Sequence, residues 1–251
     1  MVKPLRFILL VLACLQALPC RAEPFLEPAT QLMYLAEEFK PYSYVENGRQ
    51  TGLAVEILKL VWKEIQVPEQ TILFLPWPRA YAMLKSEKNT VLFSMLRTPE
   101  REKLFKWVGP IATSKTFLYA KSTSSISMTS YEDAKGLSVG VVRSYASEDL
   151  LTKQSHIINI TPLQSVQACI KMLVSGRIDL ISLESRTFSK AVQDAGLNST
   201  DFKPVWQVTE MRSYYAFNSD VPDSLITRFQ RALDRIRHSR NYTDLVNRYL
   251  D

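Results

Sequence analysis

Residues 93–110 read FSMLRTPEREKLFKWVGP. The apolar run TVLFSM, ending at Met95, reads as a buried strand, and TPERE at 98–102 as a helix start: Thr98 as N-cap, Pro99 at the first helical position, then Glu100. A strand running directly into a helix is half of a βα unit, the building block of a parallel sheet. Arg97 and Arg101 flank the helix start, where the backbone already carries partial positive charge and cations are disfavoured. Two readings follow. The charges can pair locally with Glu100 and Glu102 on a solvated turn, or Arg101 and the free N–H groups of the helix start can form a preorganised anion site.

Outward from this stretch the alternation repeats. Upstream, TQLMYLAEEF (30–39) is a strand, KPYSYVENGRQTG loop and turn, LAVEILKLVWKEI (53–65) a helix with an apolar face, TILFL a strand and PWPRAYAMLKSE a proline-opened helix. Downstream, TSKTFLYAKS is a strand and STSSISMTS a polar linker. The pattern then restarts: strands LSVGVV, HIINIT and RIDLISL alternate with helices SEDLLTK, LQSVQACIKMLVSG and SRTFSKAVQDAG. FKPVWQV and MRSYYAF are two further strands, and two amphipathic helices close the chain. Such strand–helix alternation predicts an α/β fold with a mainly parallel sheet covered on both faces. Because SYYAF and the last helices need a sheet to pack on, the second α/β pattern reads as inserted into the first. Residues 23–113 plus 212–251 form one lobe and 114–211 the other, with chain crossings near 113–116 and 208–212 acting as a two-strand hinge.

Residues 1–22 carry Lys3 and Arg6, an apolar run from Phe7 to Ala17, then Pro19 and small residues around a cut before Glu23. This is the pattern of a secretory signal peptide, too short for a transmembrane span. The formal charge of the 251-residue chain is +6 and falls on removal of the basic leader, which does not point to nucleic acid. Of three cysteines only Cys169 follows the cut, so the exported chain has no internal disulfide and depends on its core, as expected in the periplasm. Cys169 lies on a helix face with Val166, Ile170 and Leu173 and reads as core. The two histidines, His156 and His238, form neither metal site nor triad. There is no P-loop or GxGxxG, and no cofactor or metal is expected. Arg228, Arg231 and Arg235 line the solvated side of the penultimate helix.

Ligands of open α/β sheets bind beyond the carboxyl ends of the strands. After the first strand come Tyr42 and Tyr44; after TILFL, Trp77; after TVLF, Ser94, Met95 and Arg101; after LSVGVV, Arg143, Ser144 and Tyr145; after RIDLISL, Glu184. Arginine suits a carboxylate because its planar fork donates two parallel hydrogen bonds. Aromatic rings supply flat walls, and Glu184 can hold a cationic group. One anion holder, one cation holder and aromatic walls describe a site for an amino acid or similar zwitterion. Each residue also has a plainer reading: Trp77 and the tyrosines as core, Glu184 as a helix-start acid matching the dipole.

The pieces KPYSYVENGRQTGLAVEIL, TPEREKLFKWVGPI, LSVGVVRSYAS and VSGRIDLISLES, in this order and spacing, resemble the family 3 extracellular solute-binding proteins, the polar amino acid receptors of ABC importers. The resemblance runs from residue 30 to the end of the chain. It implies the type II periplasmic binding protein fold, two α/β lobes joined by two crossing strands that close on ligand. It also implies that Arg101 grips a ligand carboxylate with help from Ser94, and that Glu184 holds the α-ammonium. A second family serine falls on Leu96, and the usual Gly-Thr-Thr-like loop reads Arg143-Ser144-Tyr145-Ala146. The implied protein is a periplasmic monomer that binds a small molecule without catalysis and docks on an inner-membrane ABC permease or sensor. The alternatives are a stand-alone ligand sensor and a lyase similar to periplasmic cyclohexadienyl dehydratase, with Glu184 as general acid.

Overall fold

The computed structural model describes residues 28–250; the expected signal peptide, 1–22, lies outside the described residues. The chain folds into an α/β structure of two lobes that share one eight-stranded sheet. The first lobe holds β1 (Met33–Ala36), β4 (Ile72–Phe74) and β5 (Thr90–Leu96), paired in parallel in the order β4-β1-β5. The second holds β7 (Ser138–Val142), β8 (Asn159–Leu163) and β9 (Leu180–Glu184), parallel in the order β9-β7-β8. A separate hairpin, β2 (Tyr44–Glu46) with β3 (Arg49–Thr51), occupies the stretch expected as loop.

The two sets are joined by β6 (Phe105–Lys121) and β10 (Phe202–Asn218), each 17 residues long and antiparallel to the other throughout. FKPVWQV and MRSYYAF, expected as separate strands, are therefore one. β10 pairs with β5 only from Ser213 onward, and β6 with β9 only from Thr116. Between those limits Thr113, Ser114 and Lys115 pair with Arg212, Met211 and Glu210 and with no third strand. The polar stretch 122–130, expected as a linker, lies within the second lobe, where Met128 is buried in the core with Leu118, Ala134 and Val139.

Helices cover both faces of each half-sheet. On one face of the first lobe lie α1 (Leu53–Glu64), α7 (Asp223–Ile236) and α8 (Arg240–Leu250), and on the other α2 (Trp77–Ser86). Strand alternation sorts the core: Tyr34 and Ala36 of β1 face α1 while Leu35 faces α2. In α1 the apolar spacing buries Leu53, Ile57, Leu58, Val61 and Trp62. The helix stops because Gln66 takes a left-handed φ of 59°, so that its N–H reaches Lys63 O and the Val67 N–H reaches Trp62 O. The second lobe carries α4 (Ala146–Thr152), α5 (Val166–Val174) and α6 (Ser185–Asp194), and the short α3 (Pro99–Glu102) follows β5. Cys169 is buried in the second core, as its helix position predicts. Among the described residues no helix is long and apolar enough to cross a membrane.

Candidate functional site

The carboxyl ends of β1, β5, β7 and β9 converge on a cleft between the lobes, floored by Ser114 and Thr116 of β6. The cleft narrows to a cavity of ≈ 50 Å³ lined by residues of both lobes. That holds a little water but is well below the about 150 Å³ that accepts benzene in a protein interior.

Arg101 sits on α3, is 1 % exposed and lines this cavity. Its Nη2 donates to the Ser144 carbonyl at 2.8 Å and to Asp149 Oδ2 at 3.2 Å, both on the opposite lobe. The guanidinium carbon lies 5.1 Å from the centre of the Tyr81 ring. Arg101 Nε is buried without a hydrogen-bond partner in the protein, and so is Ser94 Oγ, on a residue that also lines the cavity. A buried donor left unpaired costs about 1–3 kcal/mol, more when charged, so two in one cleft mark a polar site rather than packing.

Ser94 reaches the cleft through a bulge. Leu92 and Met95 of β5 oppose Ala216 and Tyr214 of β10, so β5 spends one extra residue there, and Ser94 has φ 64°. Bulges re-aim side chains beside functional sites. This one sends Leu92 and Met95 to the same core and Ser94 to the cavity. Met95, expected at the site, is thereby core. Leu96, at the family serine position, presents an apolar side chain to the cavity.

Arg97 has a different fate. It makes a two-pronged pair with Glu102 at 2.6 and 2.5 Å and lies over Trp107 and Tyr214 at 5.6 and 5.3 Å, half-exposed. Local pairing therefore accounts for Arg97, and the anion-site reading concerns Arg101 alone.

Trp77, the first residue of α2, lines the cavity and donates Nε1 to the same Ser144 carbonyl at 2.8 Å. Ser144 has φ 64°, and it meets the cleft through that carbonyl; its own N–H donates to Glu148. Tyr145 lies edge-on to Trp77 and to Phe39, with ring centres 5.5 and 6.0 Å apart, and walls the cavity. Glu184 also lines the cavity. Its Oε2 accepts the Thr187 N–H at 2.8 Å, capping α6, and its Oε1 accepts the Tyr42 hydroxyl at 3.1 Å. The helix-start reading of Glu184 thus holds in full, and one oxygen also faces the other lobe. Tyr42 is one bond removed from the cavity, buried against Phe39 at 5.4 Å. Two expected residues lie away from the cavity: Tyr44 on the β2–β3 hairpin under Lys40 Nζ, and the exposed Arg143.

The loop holding Tyr42 and Ser43 is fixed on the N-terminus of α1, where Leu53 N–H donates to Pro41 O and Ala54 N–H to Tyr42 O at 3.0 and 2.8 Å. Gly52 permits this approach: its φ is +110°, and a Cβ there would lie 2.6 Å from the Tyr42 backbone.

Several cavity residues were not anticipated from the sequence, and Glu37 is the charged one among them. Glu37 directly follows β1, is 6 % exposed and accepts a hydrogen bond from the Tyr145 hydroxyl across the cleft. Burial raises its carboxyl to about 7, against the smaller opposing pull of the Tyr145 hydroxyl and the Trp77 N–H. Its signal was present: an acid immediately beyond a buried strand, masked because the first strand was read as running on to Phe39. Among the described residues no group of acids, histidines and cysteines could hold a metal ion.

Residues 33–251 match the sequence model of the bacterial extracellular solute-binding proteins, family 3. Over 216 residues the chain is 27% identical to the probable amino-acid-binding protein YxeM of Bacillus subtilis (strain 168), covering 84% of this chain and 80% of that protein. Its fold superposes on a histidine kinase sensor domain similar to periplasmic binding proteins, with a TM-score of 0.78 at 18% identity, over 89% of this chain and 98% of the other. It superposes equally on an ancestral arginine-binding protein bound to arginine, with a TM-score of 0.77 at 20% identity, over 88% of this chain and 99% of the other. These are two-lobe periplasmic binding protein folds of type II, with β6 and β10 as the two-strand hinge. The chain belongs to the family 3 bacterial extracellular solute-binding proteins.

Proposed function

We propose that the protein is a periplasmic receptor that binds an amino acid or similar small carboxylate-bearing solute between its lobes and delivers it to an inner-membrane ABC permease. The observation that carries this is the pair of unpartnered buried donors, Arg101 Nε and Ser94 Oγ, on one cavity. A guest carboxylate would accept from both, and a charge-assisted arginine bond is roughly twice as strong as a neutral one. Glu184 Oε1, held by Tyr42 from the opposite side, is placed to accept from an ammonium group.

A cavity of ≈ 50 Å³ is too small for such a guest, so entry requires the lobes to part. We place the moving segments at 113–116 and 208–212, between lobes spanning 23–113 plus 212–251 and 114–211. The side-chain bonds that cross between the lobes are polar: Arg101 and Trp77 to Ser144, Arg101 to Asp149, Tyr145 to Glu37, Tyr42 to Glu184, Thr187 Oγ1 to Lys40 O at 2.9 Å, and at the periphery Lys40 to Asp194, Lys153 to Glu100 and Arg186 to Leu250 O. Closure on a guest is then a population shift driven by contacts to both lobes. Calorimetry with amino acids on the exported form, as wild type and Arg101→Ala, tests the reading. Loss of binding in a variant that still melts cooperatively supports it; unchanged affinity removes Arg101 from the site.

A second reading, a lyase of the cyclohexadienyl dehydratase type, is favoured by one observation. The Glu37 carboxyl, in the cleft and raised by burial to about 7, is suited to general acid work near neutral pH. Incubation with prephenate or arogenate and detection of aromatic product would select it over the receptor. A signalling receptor without permease would bind the same guest, and is separated by whether deletion of the protein abolishes uptake.

A further inference from the structure

Resting on the receptor reading above, we infer that Asp149 is an affinity-setting residue: its carboxylate competes with the guest's carboxylate for Arg101, and it gives up that contact when the guest is held by two bonds. Three observations converge.

First, the bonds of Arg101 leave no complete fork. A guanidinium carries one N–H on Nε and two on each Nη, and a carboxylate is gripped bidentately either by Nε with Nη2 or by Nη1 with Nη2. Both forks pass through Nη2. That nitrogen already has two acceptors for its two hydrogens, the Ser144 carbonyl at 2.8 Å and Asp149 Oδ2 at 3.2 Å. Nε, buried and without a partner in the protein, therefore offers a guest one bond and not a pair.

Second, of the two acceptors Asp149 is the one able to leave. The Ser144 carbonyl has the shorter bond to Arg101 and is held by Trp77 Nε1 as well, at 2.8 Å. Asp149 has the longer bond, and its side chain is 44 % exposed against 2 % for Arg101, so water can solvate the released carboxylate while the guanidinium stays in place.

Third, a released Asp149 has a second cation on its own helix. Lys153 follows it by four residues, one turn on along the same face of α4. Lys153 pairs with Glu100 at 2.6 Å, so two neighbouring ion pairs, Glu100 with Lys153 and Arg101 with Asp149, tie α3 to α4 across the lobes. When a guest carboxylate takes Arg101, Asp149 turns to Lys153 and every charge keeps a partner. The apparent dissociation constant is then the intrinsic one divided by the fraction of protein in which Nη2 is free of Asp149.

Removing a competitor and loosening the lobes move affinity in opposite directions, which makes the sign diagnostic. Asp149→Asn and Lys153→Gln each break one pair between α3 and α4, but only the first frees Arg101. The standard L-amino acids are screened by thermal shift against the exported form as wild type and both variants, and calorimetry measures those that bind. We expect Asp149→Asn to bind an amino acid about threefold or more tighter than wild type, the scale of a half-exposed ion pair, and Lys153→Gln to bind it no tighter than wild type. Binding confined to Asp149→Asn counts as the same gain. Equal or weaker binding by Asp149→Asn, where the wild type binds an amino acid, overturns the inference and leaves the receptor reading standing. An equal gain in Lys153→Gln does so too, since it traces the gain to loosened lobes. Binding by neither wild type nor Asp149→Asn overturns both. Should Asp149→Asn fail to melt cooperatively, Asp149→Ser takes its place under the same expectations.

Discussion

Arg101 of one lobe and Ser144 of the other meet directly, the guanidinium Nη2 donating to the Ser144 carbonyl at 2.8 Å. Trp77 Nε1 donates to the same oxygen, also at 2.8 Å. Ser144 itself has a left-handed φ of 64°. A single backbone oxygen of the second lobe thus holds two side chains of the first, Arg101 and Trp77. On the proposed receptor reading, a guest carboxylate on Arg101 would take up donors adjacent to one already committed to this contact, so guest binding and lobe closure would act on one side chain.

Replacing the two arginines of the opening stretch should separate their roles. Arg97→Ala removes a half-exposed pair with Glu102 and a stack on two rings. It should cost no more than about 1 kcal/mol in urea unfolding and leave guest affinity within about twofold, because Arg97 does not line the cavity. Arg101→Ala should abolish carboxylate binding. Equal losses of affinity in both variants would contradict the placement of Arg101 alone in the site.

Glu184 carries a structural duty and a proposed ligand duty, and Glu184→Gln divides them. The amide oxygen can still cap α6 at the Thr187 N–H, so stability should fall by no more than about 1 kcal/mol. The lost charge should weaken a zwitterionic guest at least tenfold, about 1.4 kcal/mol. Calorimetry and thermal melts on the same preparation check both halves.

Burial of Glu37 should be visible as pH-dependent stability. Its carboxyl lies at about 7 in the fold against 4.5 ordinarily, so the native state binds the proton more tightly than the unfolded chain. Stability is therefore greatest below pH 4.5 for this group and falls as pH rises through 7. The loss approaches about 3 kcal/mol if the whole shift is expressed. Glu37→Gln, which mimics the protonated form, should match the wild type near pH 4.5 and exceed it above pH 7. Parallel stability profiles from pH 4.5 to 8 would refute the raised carboxyl.

Gly52→Ala should be among the more damaging single-methyl additions in the first lobe. It places a Cβ 2.6 Å from the Tyr42 backbone at a φ of +110°. A loss of about 2 kcal/mol or more is expected, a fall in melting temperature of roughly 4–8 °C for a chain of this size. A melting temperature within 1–2 °C of wild type, again on the scale of about 2–4 °C per kcal/mol, would mean that the loop yields freely.

The sequence determined the elements and their order, because helix and strand periods are local: α1, α5 and the strands of both half-sheets follow from apolar spacing and turn residues. It also marked Trp77, Ser94, Arg101, Tyr145 and Glu184, since residues just past a strand's carboxyl end share one edge of the sheet. Tertiary structure decided what long-range pairing alone can fix. Register made β6 and β10 single strands spanning both lobes, a bulge sent Ser94 to the cleft and Met95 to the core, and Arg97 found Glu102 while Arg101 crossed to Ser144. The early end of β1 at Ala36 made Glu37 a cavity residue, and no local pattern encodes where a strand stops pairing. Which side of a pleat, or which lobe, a side chain finally faces depends on partners distant in sequence; periodicity specifies the surface, and packing assigns its neighbours.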